Sequence, residues 1–109
     1  MIVVTTDTVA TYKVAQTLGQ VFGVVVRSRG LGGNIVASLR SLAGGEIHEY
    51  TSLLEDSRRQ AIDRMVENAA AMGANAVLRM MFDSSEMGTI MTEIVAYGTA
   101  VTIEPEGAA

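Results

Sequence analysis

The spacing of apolar residues changes character several times along the chain, and each change predicts an element. Ile2 to Thr6 is apolar and β-branched, which reads as a short strand. Tyr12 to Arg29 is rich in valine and threonine and reads as a long strand, interrupted by Gly19 and Gly23 as at bends or bulges. The period then shifts. Ile35, Val36, Leu39, Leu42 and Ala43 share one face of a short helix, with Asn34 as its N-cap and Gly44 as its stop. A longer helix follows. Ile47, Tyr50, Leu54, Ala61, Met65, Ala69 and Met72 line one side, broadened by Leu53, Ile62 and Val66. Glu49, Asp56, Arg59, Asp63 and Glu67 occupy the other side, and Gly73 ends the helix. Alternation returns in "GANAVLRMMFD", a strand with Ala76, Leu78, Met80 and Phe82 on one face. "SSEMG" reads as a turn, and "TIMTEIVAYGTAVTIEP" as a last strand stopped by Pro105.

The predicted order is β-β-α-α-β-β, with strands in hairpin pairs and the helices between them. That order describes an α+β two-layer domain with a mainly antiparallel sheet. The length predicts one domain, over residues 1–104, and the polar end 105–109 reads as a frayed tail.

Composition adds an expectation about assembly. Hydrophobic residues make up 49% of 109 residues. A domain of this size buries only about two thirds of the surface its unfolded chain exposes. An apolar patch is therefore expected outside, and such patches mark interfaces, so the chain reads as a homo-oligomer. Net charge is −4, which argues against non-specific nucleic-acid binding. Between Thr8 and Gly45 the charged residues are Lys13, Arg27, Arg29 and Arg40, whereas acids dominate from Glu46 onward. Two readings follow: the charges pair within one fold, or a basic face meets an acidic face of the next subunit in a head-to-tail, ring-closing contact. Cysteine is absent, which excludes disulfides, thiol nucleophiles and cysteine metal sites and fits a cytoplasmic protein. "MIVVTTDTVATYK" lacks the features of a signal peptide, and the apolar run Val21 to Val26 is far too short to span a membrane.

Candidate chemistry is sparse. "RSRGLGGNIVASLRSLAGGE", residues 27–46, carries two glycine clusters. A phosphate-binding P-loop needs a lysine after its last glycine, and the chain's one lysine, Lys13, follows Tyr12. A dinucleotide loop needs a third glycine where Ile35 stands. The glycines instead let a strand turn sharply into a helix. Arg27, Arg29 and Asn34 at that turn form a candidate anion-binding site. Glu46, His48 and Glu49 form a candidate site for a divalent metal ion, with symmetry copies supplying the ligands one chain lacks. The competing reading is that these acids only complement the helix dipole. Asp83 and Glu86 flank the predicted turn, and the methionines read as core or interface filler rather than a soft-metal site. Arg58 is either a surface charge or an interface anchor. No Gly-x-Ser-x-Gly elbow occurs and no nucleophile–base pair can be named, so the expectation is a protein that is not an enzyme.

Several blocks together resemble one family. "RSRGLGGNI-A-L-SL-GGEI-EYT-LL", "R--A--RM---A---GANAV", "FD-SE" and "E-VAYGTAV", spanning about Gly23 to Val101, resemble the YbjQ family, described as heavy-metal-binding and without a known reaction. The resemblance implies a small α+β subunit that assembles into a ring, a homopentamer, in a bacterial or archaeal cytoplasm. It implies signature positions at Gly44, Gly45, Glu46, Tyr50, Arg58, Gly73, Ala74, Ala76, Tyr97, Gly98 and Thr99. Where the family often carries arginine before Phe-Asp, this chain has Met81. The cysteine-borne selenium binding associated with a relative of the family has no counterpart here.

Overall fold

A computed structural model describes residues 1–28, 48–87 and 91–107. Its elements are β1 (Ile2–Val3), β2 (Tyr12–Ser28), α1 (His48–Ala71), β3 (Ala76–Met87) and β4 (Met91–Pro105). The four strands form one mixed sheet in the order β1-β3-β4-β2, with β1 parallel to β3 and the other pairs antiparallel. The α+β class and the long helix agree with the sequence reading. The short helix predicted after Asn34, and the glycines at 30, 32 and 33, lie outside the described residues.

The predicted hairpin of the first two strands is not formed. β2 finds a partner of matching length in β4, and their ladder runs from Tyr12 opposite Pro105 to Ser28 opposite Met91. The two-residue β1 instead extends the far edge of the sheet beside Ala76 and Val77.

Three local features position everything else. The first is the end of α1. The Gly73 N–H donates to the Ala70 carbonyl and the Ala74 N–H to the Ala69 carbonyl, both at 3.0 Å. Gly73 supplies the φ of 89° this closure needs. The side chain of Asn75 then continues the sheet: its Nδ2 donates to the Ile103 carbonyl and its Oδ1 accepts from the Ile103 N–H.

The second is a bulge in β3. Leu78 lies opposite Thr99 and Met81 opposite Tyr97, so one extra residue intervenes, and Arg79 there has a φ of 52°. The bulge overturns the expected single face of Ala76, Leu78, Met80 and Phe82. Ala76 and Leu78 pack with Val101 and Ile103, under Val4 and Val9. Met80 and Phe82 pack on the helix side, with Val21, Val25, Ile94 and Ala96. An inserted residue exchanges the two faces of every residue beyond it.

The third is the contact between α1 and β2. Ala61, Met65 and Ala69 are fully buried against the sheet. The helix backbone passes so close to Gly23 that a Cβ there would collide with the Ala61 carbonyl oxygen and the Met65 amide nitrogen. Gly23 is thus a contact position, while Gly19, with a φ of 127°, sits at a bulge as predicted. Beside this contact, Arg64 Nη1 donates to the Val24 carbonyl at 2.6 Å and Asn68 Nδ2 to the Phe22 carbonyl at 2.7 Å.

Candidate functional site

The helix covers one face of the sheet. On the other face, residues 4–9 cover only the end near Ala76 and Ile103. Beyond that end, Phe22, Val24 and Val26 of β2 alternate with the buried Val21, Gly23 and Val25. Phe22 faces Tyr97 and then Met81 across the sheet, and Val24 faces Val95. Phe22 is 49% exposed, Val26 49% and Met81 54%. The Tyr97 hydroxyl reaches the Met81 sulfur at 3.9 Å. This is the apolar patch that the composition required. It exists because strand alternation sends every second residue of a nearly all-apolar β2 segment away from the helix.

On the helix side, three cross-strand rows run out from the core: Gly23–Ala96–Phe82, Val25–Ile94–Ser84 and Arg27–Thr92–Glu86. The rows become polar as they pass beneath the first half of α1. Arg27 Nε donates to Ser57 Oγ at 3.0 Å, and the Ser57 hydroxyl donates to the Leu53 carbonyl at 2.9 Å. Ser57 is buried, so this is a tie between β2 and α1. One residue along, the Arg58 guanidinium lies over the Phe82 ring, 5.4 Å from its centroid. Leu54, Arg58, Phe82, Ser84, Glu86 and Ile94 line a groove of about 410 Å³.

Of the predicted anion-binding residues, Arg27 is placed by its bond to Ser57, while Arg29 and Asn34 lie outside the described residues. Of the predicted metal ligands, Glu46 lies outside them. His48 and Glu49 open α1, but their side chains are not among those described. Asp83 and Glu86 are strand residues rather than turn residues, because β3 continues to Met87. Sequence reasoning did not single out Ser57. Its signal was a polar residue within the apolar stripe of Leu54, Ala61 and Met65, where a buried hydroxyl needs partners.

Residues 1–104 match the family model YbjQ_1, described as "Putative heavy-metal-binding". The chain belongs to the YbjQ family. It is 66% identical over 105 residues to a UPF0145 protein of Bradyrhizobium sp. (strain ORS 278), covering 96% of this chain and 95% of that one. A UPF0145 protein of Methanoregula boonei is 62% identical over 106 residues, covering 97% of this chain and 88% of that one. The fold resembles a crystal structure of a protein of unknown function from Pediococcus pentosaceus, assigned to the DUF74 family. The TM-score is 0.62 at 15% identity, covering 95% of this chain and 98% of that one. Among the described residues of this YbjQ chain, no three His, Asp or Glu side chains cluster as metal ligands. Cysteine is absent, so the described donor set does not fit a soft heavy metal. No described helix is long and apolar enough to cross a membrane.

Proposed function

We propose that this protein is a non-enzymatic, self-assembling binding protein. Its copies join through the open face of the sheet into a closed ring, a homopentamer as the family resemblance implies, and each subunit takes a small ligand or metal ion. The exposed stripe of Phe22, Val24, Val26 and Met81 carries this reading, because an isolated small domain rarely leaves so continuous an apolar face in water.

The shape supports it. The radius of gyration is 17.7 Å and the extents are 62 × 25 × 16 Å. A compact monomer of this length has a radius of about 13 Å. An assembly gives the open face something to pack against.

Light scattering and native mass spectrometry at micromolar protomer concentration test the reading. The expected result is one ring-sized species for the parent chain and dissociation for the folded double variant Val24→Glu/Val26→Glu. A folded monomer from the parent chain would overturn it.

A further inference from the structure

We propose that the outer edge of β3 at residues 82–84 docks an extended, cationic peptide segment of another protein, added to the sheet as a strand in line with β1. This goes beyond the assembly reading and does not depend on it.

The ladder fixes the direction of the backbone groups. In β4 the Val101 carbonyl accepts from the Asn75 N–H, and the Ile103 N–H and carbonyl are bonded to the Asn75 side chain. Both residues thus turn their backbone groups toward β3. The inserted residues of the two ladders lie in β2 and β3, so β4 keeps its alternation. Tyr97 and Val95 then meet Met81 and Asp83 as hydrogen-bonded pairs, and the N–H and C=O groups of Phe82 and Ser84 point to the outer edge. β1 and the turn after it fill that edge only up to the bulge. The Met80 and Arg79 N–H groups donate to the Val4 and Thr6 carbonyls, and no described strand lies beyond. Asp83, Ser84 and Ser85 are exposed. From Phe82 to Ser85 the edge carries none of the lysine, proline or bulge by which sheet edges are usually closed. Strand addition uses such an edge: main-chain bonds supply affinity, and the flanks select alternate side chains.

The two flanks differ and so specify the peptide. On the helix side, Leu54, Phe82 and Ile94 wall the groove of about 410 Å³, which receives apolar side chains of the added strand. On the open side, Met81 and Asp83 stand exposed. A lysine or arginine beside Asp83 forms an opposite-charge cross-strand pair, whereas an acid there is repelled. The net charge of −4 adds a general preference for a cationic partner. The segment therefore alternates apolar and basic residues. A second copy of β3 does not suit the edge. Two such edges meeting antiparallel about Ser84 bring their Asp83 side chains to diagonal positions across the seam, like charge against like.

Capped seven-residue peptides are the probes: one alternating valine and lysine, one alternating valine and glutamate, and the valine–lysine peptide N-methylated either on its valines or on its lysines. Calorimetry and amide hydrogen exchange on the full chain at low ionic strength read the binding. The valine–lysine peptide is expected to bind below millimolar concentration and to slow exchange at Phe82 and Ser84, and the glutamate peptide to bind more weakly. In an added strand one set of N–H groups faces β3 and the other faces solvent. One methylated form should therefore lose at least roughly tenfold in affinity and the other keep it. Ser84→Pro removes one outward N–H and leaves the β3–β4 ladder whole, so it should weaken binding about fivefold. Asp83→Asn should weaken it roughly threefold and narrow the gap between the two peptides. Circular dichroism confirms that each variant is folded; if Ser84→Pro is not, Asp83→Asn and the methylated peptides decide. No binding of the valine–lysine peptide, equal binding of the glutamate peptide, or any methylation pattern other than one loss and one retention would overturn the proposal. So would unchanged affinity in folded Ser84→Pro, or slow exchange at Phe82 and Ser84 in the chain alone, which would mean that the edge is already filled. Binding by a monomer would uphold it while the assembly reading failed.

Discussion

Replacing Gly23 by alanine adds one methyl group where α1 crosses β2. That methyl would strike the Ala61 carbonyl oxygen and the Met65 amide nitrogen and stand 3.0 Å from the Met65 Cα. All three are helix backbone atoms, so no rotamer change relieves the clash. The helix must lift, and the contacts of Ala61, Met65 and Ala69 with Val21, Val25, Ile94 and Ala96 loosen together. Overpacking a core by a methyl group costs about 1–3 kcal/mol, and the clash here is with rigid atoms. The lost freedom of the unfolded chain returns at most about 1 kcal/mol. A net loss of about 2 kcal/mol is expected, which lowers Tm by on the order of 10 °C in a domain of this size. Thermal melts by circular dichroism at fixed protomer concentration measure it. Gly73→Ala is the control. Gly73 has a φ of 89°, and a Cβ there would meet nothing within 4 Å, so its loss isolates backbone strain, about 1 kcal/mol. The reasoning fails if Gly23→Ala melts at or above the parent temperature, or loses less than Gly73→Ala.

Ser57→Ala removes the hydroxyl whose oxygen accepts from Arg27 and whose O–H donates to the Leu53 carbonyl, and should cost about 1–2 kcal/mol in urea denaturation; an unchanged midpoint would mean the tie is idle. Asn75→Ala deletes both bonds to Ile103 and should speed amide exchange at Ile103 specifically. Cadmium should show no micromolar binding in calorimetry, because the chain has no thiolate; micromolar cadmium binding by the parent chain would contradict this.

Much of the fold was legible because α1 buries one consistent face. The stripe Ala61, Met65 and Ala69 has helical spacing, and all three are buried. What periodicity missed were places where a single residue changes the geometry. The bulge at Arg79 switches the faces of β3, and "AVLRMMF" gives no glycine or proline to mark it. The partner of β2 was also hidden, since strand pairing depends on length and apolar match across more than sixty residues of chain rather than on local pattern. The candidate site was half legible. Arg27 and Arg58 were noticed as charges, but the cross-strand rows that line Ser84 up with Ile94 and Glu86 with Thr92 and Arg27 follow from the register alone.

The two bonds from Arg64 and Asn68 to the Val24 and Phe22 carbonyls bear on what cannot happen to this protein. β2 is the outermost strand and long, the kind of border along which stray strands recruit one another into fibrils. Two successive outward-facing acceptors are already filled by side chains of the protein's own helix. An incoming strand would have to evict a guanidinium and an amide before its first rungs could form beside the most apolar part of β2. Sideways growth is thus obstructed where the sequence is stickiest, while the broad side of the sheet stays accessible. Attraction is steered from endless stacking toward finite association. By this logic, Arg64→Ala/Asn68→Ala would show its defect as slow fibril growth before any loss of helix.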